Sequence, residues 1–172
     1  MQNFSNDTIE IDSLPKMEAI VFNKLHADYW KIILLNISLL SIIILVAVGI
    51  FFFIKQEILA PFLYLIIAML LFIITLLFIA NRVSFLKKGY AFRTHDVVFT
   101  SGILANNTMV IPYNRVQHIA LHEGILSRYF GLASIEIFTA GGDASDITIP
   151  GIEKQQAENI KQLLMNKIKS ND

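Results

Sequence analysis

The sequence predicts an α+β membrane protein: a two-helix transmembrane hairpin followed by a small, mostly β domain closed by an amphipathic helix. Three observations predict it. Residues 32–54 and 58–80 form two charge-free apolar runs, separated only by Lys55, Gln56 and Glu57. After Arg82 the apolar residues recur with a period of two, as in half-buried strands. From Ala157 onward they recur at helical spacing.

Hydrophobic residues make up 55% of the 172 and charged residues 16%, against roughly 25% charged in soluble proteins. The excess sits in one block, because Lys55 and Glu57 are the only charges between Ile32 and Ala80. Residues 1–31 carry three Lys against five acids, and residues 81–172 carry ten Lys or Arg against eight acids. Neither half has the basic stripe of a nucleic-acid binder. The absence of cysteine excludes disulfides, thiolate metal sites and a thiol nucleophile. Asp7, Glu10, Asp12, Glu18 and Asp28 crowd the first thirty residues, and no compact apolar core precedes a small-residue cleavage site. The start of the chain therefore does not read as a secretory leader.

Each apolar run gives about 34 Å of helix, enough to cross a hydrocarbon core of about 30 Å. The short link makes the two helices antiparallel neighbours. Pro61 falls in the first turn of the second, where its missing N–H matters little. Asn36, Ser38, Ser41 and Gly49 are expected to face the partner helix. A buried soluble hairpin is the alternative, but the remaining chain is too short to cover two helices that are apolar all round. Lys24, Lys31, Arg82, Lys87, Lys88 and Arg93 flank the spans while the turn has one Lys, which places both termini in the cytoplasm. Tyr29 and Trp30 suit the inner interface. The expected organisation is an arm over residues 1–31, the hairpin over 32–80 and the β domain over 81–172.

Residues 1–14 are rich in Asn, Asp and Ser and are expected to be mobile. For residues 15–30 two readings stand. Met17, Ile20, Val21 and Leu25 fit a short interfacial helix, whereas Ile20, Phe22 and Leu25 also fit an extended stretch docked on the β domain.

Within the β domain, strands are predicted over residues 90–94, 97–101, 108–111, 116–122, 134–140 and 146–149. Gly102, Asn106-Asn107 and Gly141-Gly142 mark turns, and Pro112 ends the third strand. Residues 124–131 are irregular or briefly helical. Pro150-Gly151 is expected to open the last helix, in which Ala157, Ile160, Leu163, Leu164 and Ile168 share a face. Glu153 near its start and Lys167 and Lys169 near its end suit the helix dipole.

The order of short motifs resembles the YdbS-like bacterial PH-domain membrane proteins. The stretches are Thr94-His95-Asp96, Ser101-Gly102-Ile103-Leu104, Ile111-Pro112-Tyr113-Asn114-Arg115-Val116-Gln117, Gly124 with Leu126, Arg128-Tyr129-Phe130-Gly131-Leu132-Ala133, Thr139-Ala140-Gly141-Gly142 and Ile149-Pro150-Gly151-Ile152. A Leu-His-x-x-Tyr element precedes the spans as Leu25, His26 and Tyr29. Ile125 departs from the proline that many members carry after the glycine. The resemblance spans roughly residues 20–168 and implies a PH-like fold, a strongly bent sheet of about seven strands with a C-terminal helix. Six strands are legible, so a seventh is sought around Val83 to Lys87.

Pro112, Tyr113, Arg115, Gln117, Arg128 and Gly131 form the candidate interaction motif. Arginine forks bind carboxylates and phosphates, so one reading is recognition of a partner or a headgroup. The plainer and favoured reading is that Arg115 and Arg128 hold loops by bonding carbonyls or Glu123. Arg82, Lys87, Lys88 and Arg93 are candidate anionic-lipid contacts, against the plainer role of orientation determinants and snorkelling anchors. The first hairpin of eukaryotic PH domains often carries a basic phosphoinositide cluster, which Thr94-His95-Asp96 lacks. His118 and His122 lie about 13 Å apart along a strand, too far to share an ion. Ser127, a histidine and Asp143 lack the context of a hydrolase triad.

The reading is a non-catalytic, membrane-anchored interaction module in the bacterial cytoplasmic membrane, with no cofactor, metal or nucleic acid. Its partners are membrane lipids and either another PH-domain membrane protein or a second copy. The resemblance implies an assembly or scaffold role and a link to envelope stress or antimicrobial resistance. The alternative is a peripheral anionic-lipid sensor. A transporter subunit or enzyme is least supported, because the spans carry no ionisable groups.

Overall fold

The computed structural model describes residues 20–142 and 145–169. The chain begins with strand β1 (Asn23–Lys24), then enters helix α1 (Ala27–Ile54). A short helix α2 (Gln56–Leu59) and a 3-10 turn (Ala60–Phe62) lead into α3 (Leu63–Lys87). There follow β2 (Gly89–Phe92), β3 (Asp96–Ser101), β4 (Asn107–Pro112), a 3-10 turn (Tyr113–Arg115) and β5 (Val116–His122). The chain closes with α4 (Ile125–Tyr129), β6 (Leu132–Thr139), β7 (Ile147–Glu153) and α5 (Lys154–Lys169).

The hairpin forms because nothing in its sequence opposes helix until Lys55, whose φ of −113° breaks the run. Pro61 lies in the 3-10 turn rather than in the regular helix. The apolar windows of both helices are uncovered by the rest of the chain. A buried soluble hairpin is thereby ruled out. With 28 residues, α1 is about 42 Å long, more than a hydrocarbon core needs. The surplus carries its first turn clear of the apolar layer. The helices meet through bulky rings at this end: Trp30 lies 5.6 Å from both Phe78 and Phe85. The expected close approach at Gly49 is absent, with nothing within 4 Å of where its Cβ would stand. Ser38 is exposed and Ser41 half-buried, whereas Asn36 does line a cleft with Asn81.

Two antiparallel sheets make up the β domain, ordered β1-β2-β3-β4 and β5-β6-β7. This is the bent seven-stranded sheet with a C-terminal helix that was expected, but the seventh strand is not where it was sought. Val83–Lys87 continues α3. The missing strand is β1, which pairs Asn23 with Tyr90 and Lys24 with Gly89. Of the two readings of the arm, the extended one holds over Phe22 to Leu25. Leu25 enters the core at 6% exposure. The interfacial helix does not form at Ile20, Val21 and Leu25, which precede α1 without helix; its Met17, and the mobility expected of residues 1–14, fall outside the described residues.

The hairpin is thus inserted between two adjacent strands, which fixes the domain's ends. The chain leaves the hairpin into β2, returns along β3, and leaves again along β4. The connections 102–106 (β3–β4) and 123–131 (β5–β6) therefore lie at the hairpin end with the β7–α5 corner. Turns 93–95 and 113–115 lie at the distal end, with residues 140–142 and 145–146 between β6 and β7. Leu132, Ile135, Ile137, Ile149, Ile152 and Leu164 are fully buried between the sheets and α5. Ala157 and Leu164 turn the helix inward, while Leu163 is exposed rather than on the buried face. Pro150-Gly151 does not open α5. Both lie inside β7, and the helix starts at Lys154.

Candidate functional site

Three regions collect the polar and apolar groups not consumed by the core. The first is the junction with the hairpin. The His26 N–H donates to the Gly151 carbonyl at 2.8 Å. Its Nδ1 accepts the Asp28 N–H at 3.2 Å and so caps α1. The Tyr29 side chain packs against Gly151, where a Cβ would stand 2.5 Å from Tyr29 Cγ. Gly151 also has φ +65°, a conformation suited to glycine. Leu25, His26 and Tyr29 are therefore a clamp between α1 and β7. Their motif and the Pro-Gly motif are each visible in the sequence, but their pairing is a tertiary fact.

The second region is the distal end. Tyr113 is buried; its hydroxyl donates to the Arg93 carbonyl at 2.7 Å and its N–H to the His95 carbonyl at 3.1 Å. Burial pushes the Tyr113 phenol up, with Asp96 adding to the shift. Tyr113 is thus a pin between two turns, not a contact residue. Tyr113→Phe is expected to cost about 1 kcal/mol, read as a lowered thermal midpoint in detergent; an unchanged midpoint would contradict the pin. Beside it Pro112, Arg115, Val110, Thr139, Gly141 and Ser145 line an open cavity of about 310 Å³. The Arg115 carbonyl accepts the Ala140 N–H at 3.0 Å, while its exposed guanidinium has no partner among the described residues.

The third region adjoins the second. β5 is one of the two outer strands of its sheet. Its Gln117, His118 and Ile119 form a groove of about 300 Å³ with Lys161, Met165 and Ile168 of α5. His118 stacks on Phe138 with ring centroids 4.1 Å apart. Lys161 and Met165 had no sequence signal beyond lying on an amphipathic helix.

The six residues of the candidate motif are therefore split. Pro112, Tyr113, Arg115 and Gln117 gather at the distal end and the adjoining β5 edge. Arg128 and Gly131 lie at the hairpin end, roughly 25 Å away along β6. Arg128 Nε is 3.9 Å from Glu123 Oε2, an ion pair at the long limit and too long for a hydrogen bond, and Glu123 pairs more closely with Lys154 at 2.9 Å. Gly131 has φ +67° and its carbonyl accepts the Lys154 N–H at 3.0 Å.

The four basic residues proposed as lipid contacts are also split. The Arg82 guanidinium lies over the Trp30 ring, 4.8 Å from its centroid. Lys87 donates to the Ile103 carbonyl at 2.7 Å. Lys88 is half-buried, which pushes its pKa down. Arg93 leaves the set: it lies in the distal turn, four residues along β2 from the hairpin, bonded through Nε to Asp96 at 2.6 Å. That bond raises its pKa.

His122 pairs with Glu136 at 2.8 Å, so the two strand histidines have different partners. Ser127 lies in α4 at the hairpin end, and Asp143 falls outside the described residues. Among the described residues no three His, Asp or Glu side chains converge on a point.

Comparison with known proteins adds two findings. A family model described as "Bacterial PH domain" matches residues 32–168. The chain is also 30% identical over 88 residues to the "UPF0699 transmembrane protein YdbS" of Bacillus subtilis (strain 168), covering 51% of this chain and 54% of that protein. It thus spans about half the length of the curated relative it matches. No solved structure matches it. Uncovered apolar helices and a transmembrane relative together put the protein in a membrane.

Proposed function

The chain belongs to the bacterial PH domain family, and on that premise we propose that it is a non-catalytic docking subunit, crossing the cytoplasmic membrane twice with both termini inside. The basic residues around Lys31 and Arg82 support this orientation. A reporter fused after Asp172 should be active only in the cytoplasm; periplasmic activity would refute the orientation.

One observation carries the docking role. The clamp and β1 tie one end of the PH-like domain to the hairpin, which holds the Arg115 cavity and the β5 edge away from the bilayer. An outer strand beside an apolar helix face accepts an extended segment as an additional strand. Arg115 then receives a carboxylate at the end of that strand. The occupant is a segment of another PH-domain membrane protein or of a second copy. This makes the protein an assembly or scaffold subunit, and an envelope-stress role would act through the complex so formed.

Crosslinking of the full-length protein in native membranes tests it. A crosslinked adduct is expected, and Arg115→Glu or Met165→Asp should lower its yield several-fold while Arg128→Glu leaves it unchanged. Equal yields from all variants would remove the site. The lipid-sensing alternative loses Arg93, which lies at the far end, and keeps only Arg82, Lys87 and Lys88 at the hairpin end.

A further inference from the structure

We infer that the hairpin end of the PH-like domain is itself a membrane-contact surface, with Ile103 and Leu104 on one side of the hairpin and Ile125 and Tyr129 on the other seated in the interfacial layer of the leaflet from which α1 and α3 emerge. The observation is where the exposed apolar side chains of the connections lie. Leu104 is 98% exposed, Ile125 91% and Tyr129 84%, with Ile103 at 45%. All four sit at the hairpin end. The distal turns 93–95 and 113–115, and residues 140–142 and 145–146, expose no large apolar side chain.

Their height relative to the spans is set by two contacts. Lys87, the last residue of α3, donates to the Ile103 carbonyl at 2.7 Å. Lys87 lies five residues beyond Arg82, about 7 Å along the axis, comparable to the depth of one headgroup layer. On the other side the Lys31 ammonium lies 6.0 Å from the centroid of the Phe130 ring. Lys31 belongs to the first turns of α1, beside the Trp30 that stacks with Arg82. Both loops thus reach the level at which the helices leave the hydrocarbon.

The chemistry fits that layer. Leucine and isoleucine tips gain by leaving water, tyrosine rings favour the interface, and Arg82 and Lys87 add positive charge suited to anionic headgroups, while Lys31 and Arg128 are paired with Asp28 and Glu123. Anchoring on both sides of the hairpin stops the domain from tilting about it. Membrane contact therefore orients the domain, independently of whether any partner docks at Arg115.

The chain has no cysteine, so single-cysteine variants Leu104→Cys, Ile125→Cys and Asn114→Cys can each carry an environment-sensitive fluorophore. All three positions are exposed, so the fold tolerates them. The full-length protein goes into lipid nanodiscs of phosphatidylethanolamine and phosphatidylglycerol. Probes at positions 104 and 125 should be blue-shifted, several-fold less quenched by aqueous iodide than at 114, and quenched by nitroxides attached near the lipid headgroup. Iodide access equal to that at 114, without nitroxide quenching, would overturn the inference. So would protection that appears only in discs holding two copies, which assigns the surface to a second copy of the chain.

Discussion

Gly151→Leu is expected to lower stability by roughly 2–5 kcal/mol, the sum of a strained left-handed backbone and an overpacked contact. The residue has φ +65°, and a Cβ there would stand 2.5 Å from Tyr29 Cγ. The Tyr29 ring cannot step aside freely, because the His26 N–H bond to the Gly151 carbonyl anchors the helix start from which it projects. The substitution pushes α1 off β7 and loosens a direct link between the first span and the second sheet. Thermal unfolding in detergent should show the lower midpoint, and limited proteolysis should open the chain near residues 20–26. Tyr29→Ala in the same chain relieves the steric part, so the double variant should cost less than the sum of the two. Strict additivity, or an unchanged midpoint for Gly151→Leu, would mean that the contact does not hold the helix.

The second large effect concerns the arm. A fragment of residues 83–172 contains the six later strands and α5 but lacks β1 and Leu25. It is expected to unfold without a cooperative transition. Leu25 is buried among Tyr90, Ile149 and Ile152 in the core, and removing such a side chain costs about 2–5 kcal/mol. Loss of β1 also exposes the Tyr90 edge of β2. Rejoining residues 20–26 to 88–172 through a flexible Gly/Ser link, in place of the hairpin, should restore a sharp transition. Within the full chain Leu25→Asp should destabilise at least as strongly, since it leaves an unpaired carboxylate in the core. A fragment 83–172 that melts as sharply as the rejoined form would show that the arm is dispensable.

Local patterns were legible wherever one physical signal dominated. The charge-free runs announced the helices of the hairpin because no other environment suits them. The alternation of Ile135 and Ile137 in β6 announced a strand because one face of it had to be buried. Misreadings arose where a distant contact decided. Val83 to Lys87 carries strand-compatible residues, yet α3 continues because Phe85 finds Trp30 and Tyr29 across the hairpin. Pro150-Gly151 reads as a helix start, yet it stays in β7 because a glycine is needed under Tyr29. For the candidate motif, sequence proximity could not show that Arg115 and Arg128 belong to opposite ends of β5 and β6.

From its sequence alone this protein was committed to two apolar helices, a short turn between them, a small β domain and a closing helix, since each follows from periodicity and charge within a few residues. Folding in three dimensions decided that the residues before the hairpin complete the sheet after it, and that the hairpin grows out of the gap between two neighbouring strands. That arrangement rests on pairings such as Asn23 with Tyr90 and Tyr29 with Gly151. Contacts across more than sixty residues leave no periodic trace in either partner, so only the assembled structure discloses which end of the domain adjoins the hairpin and which lies away from it.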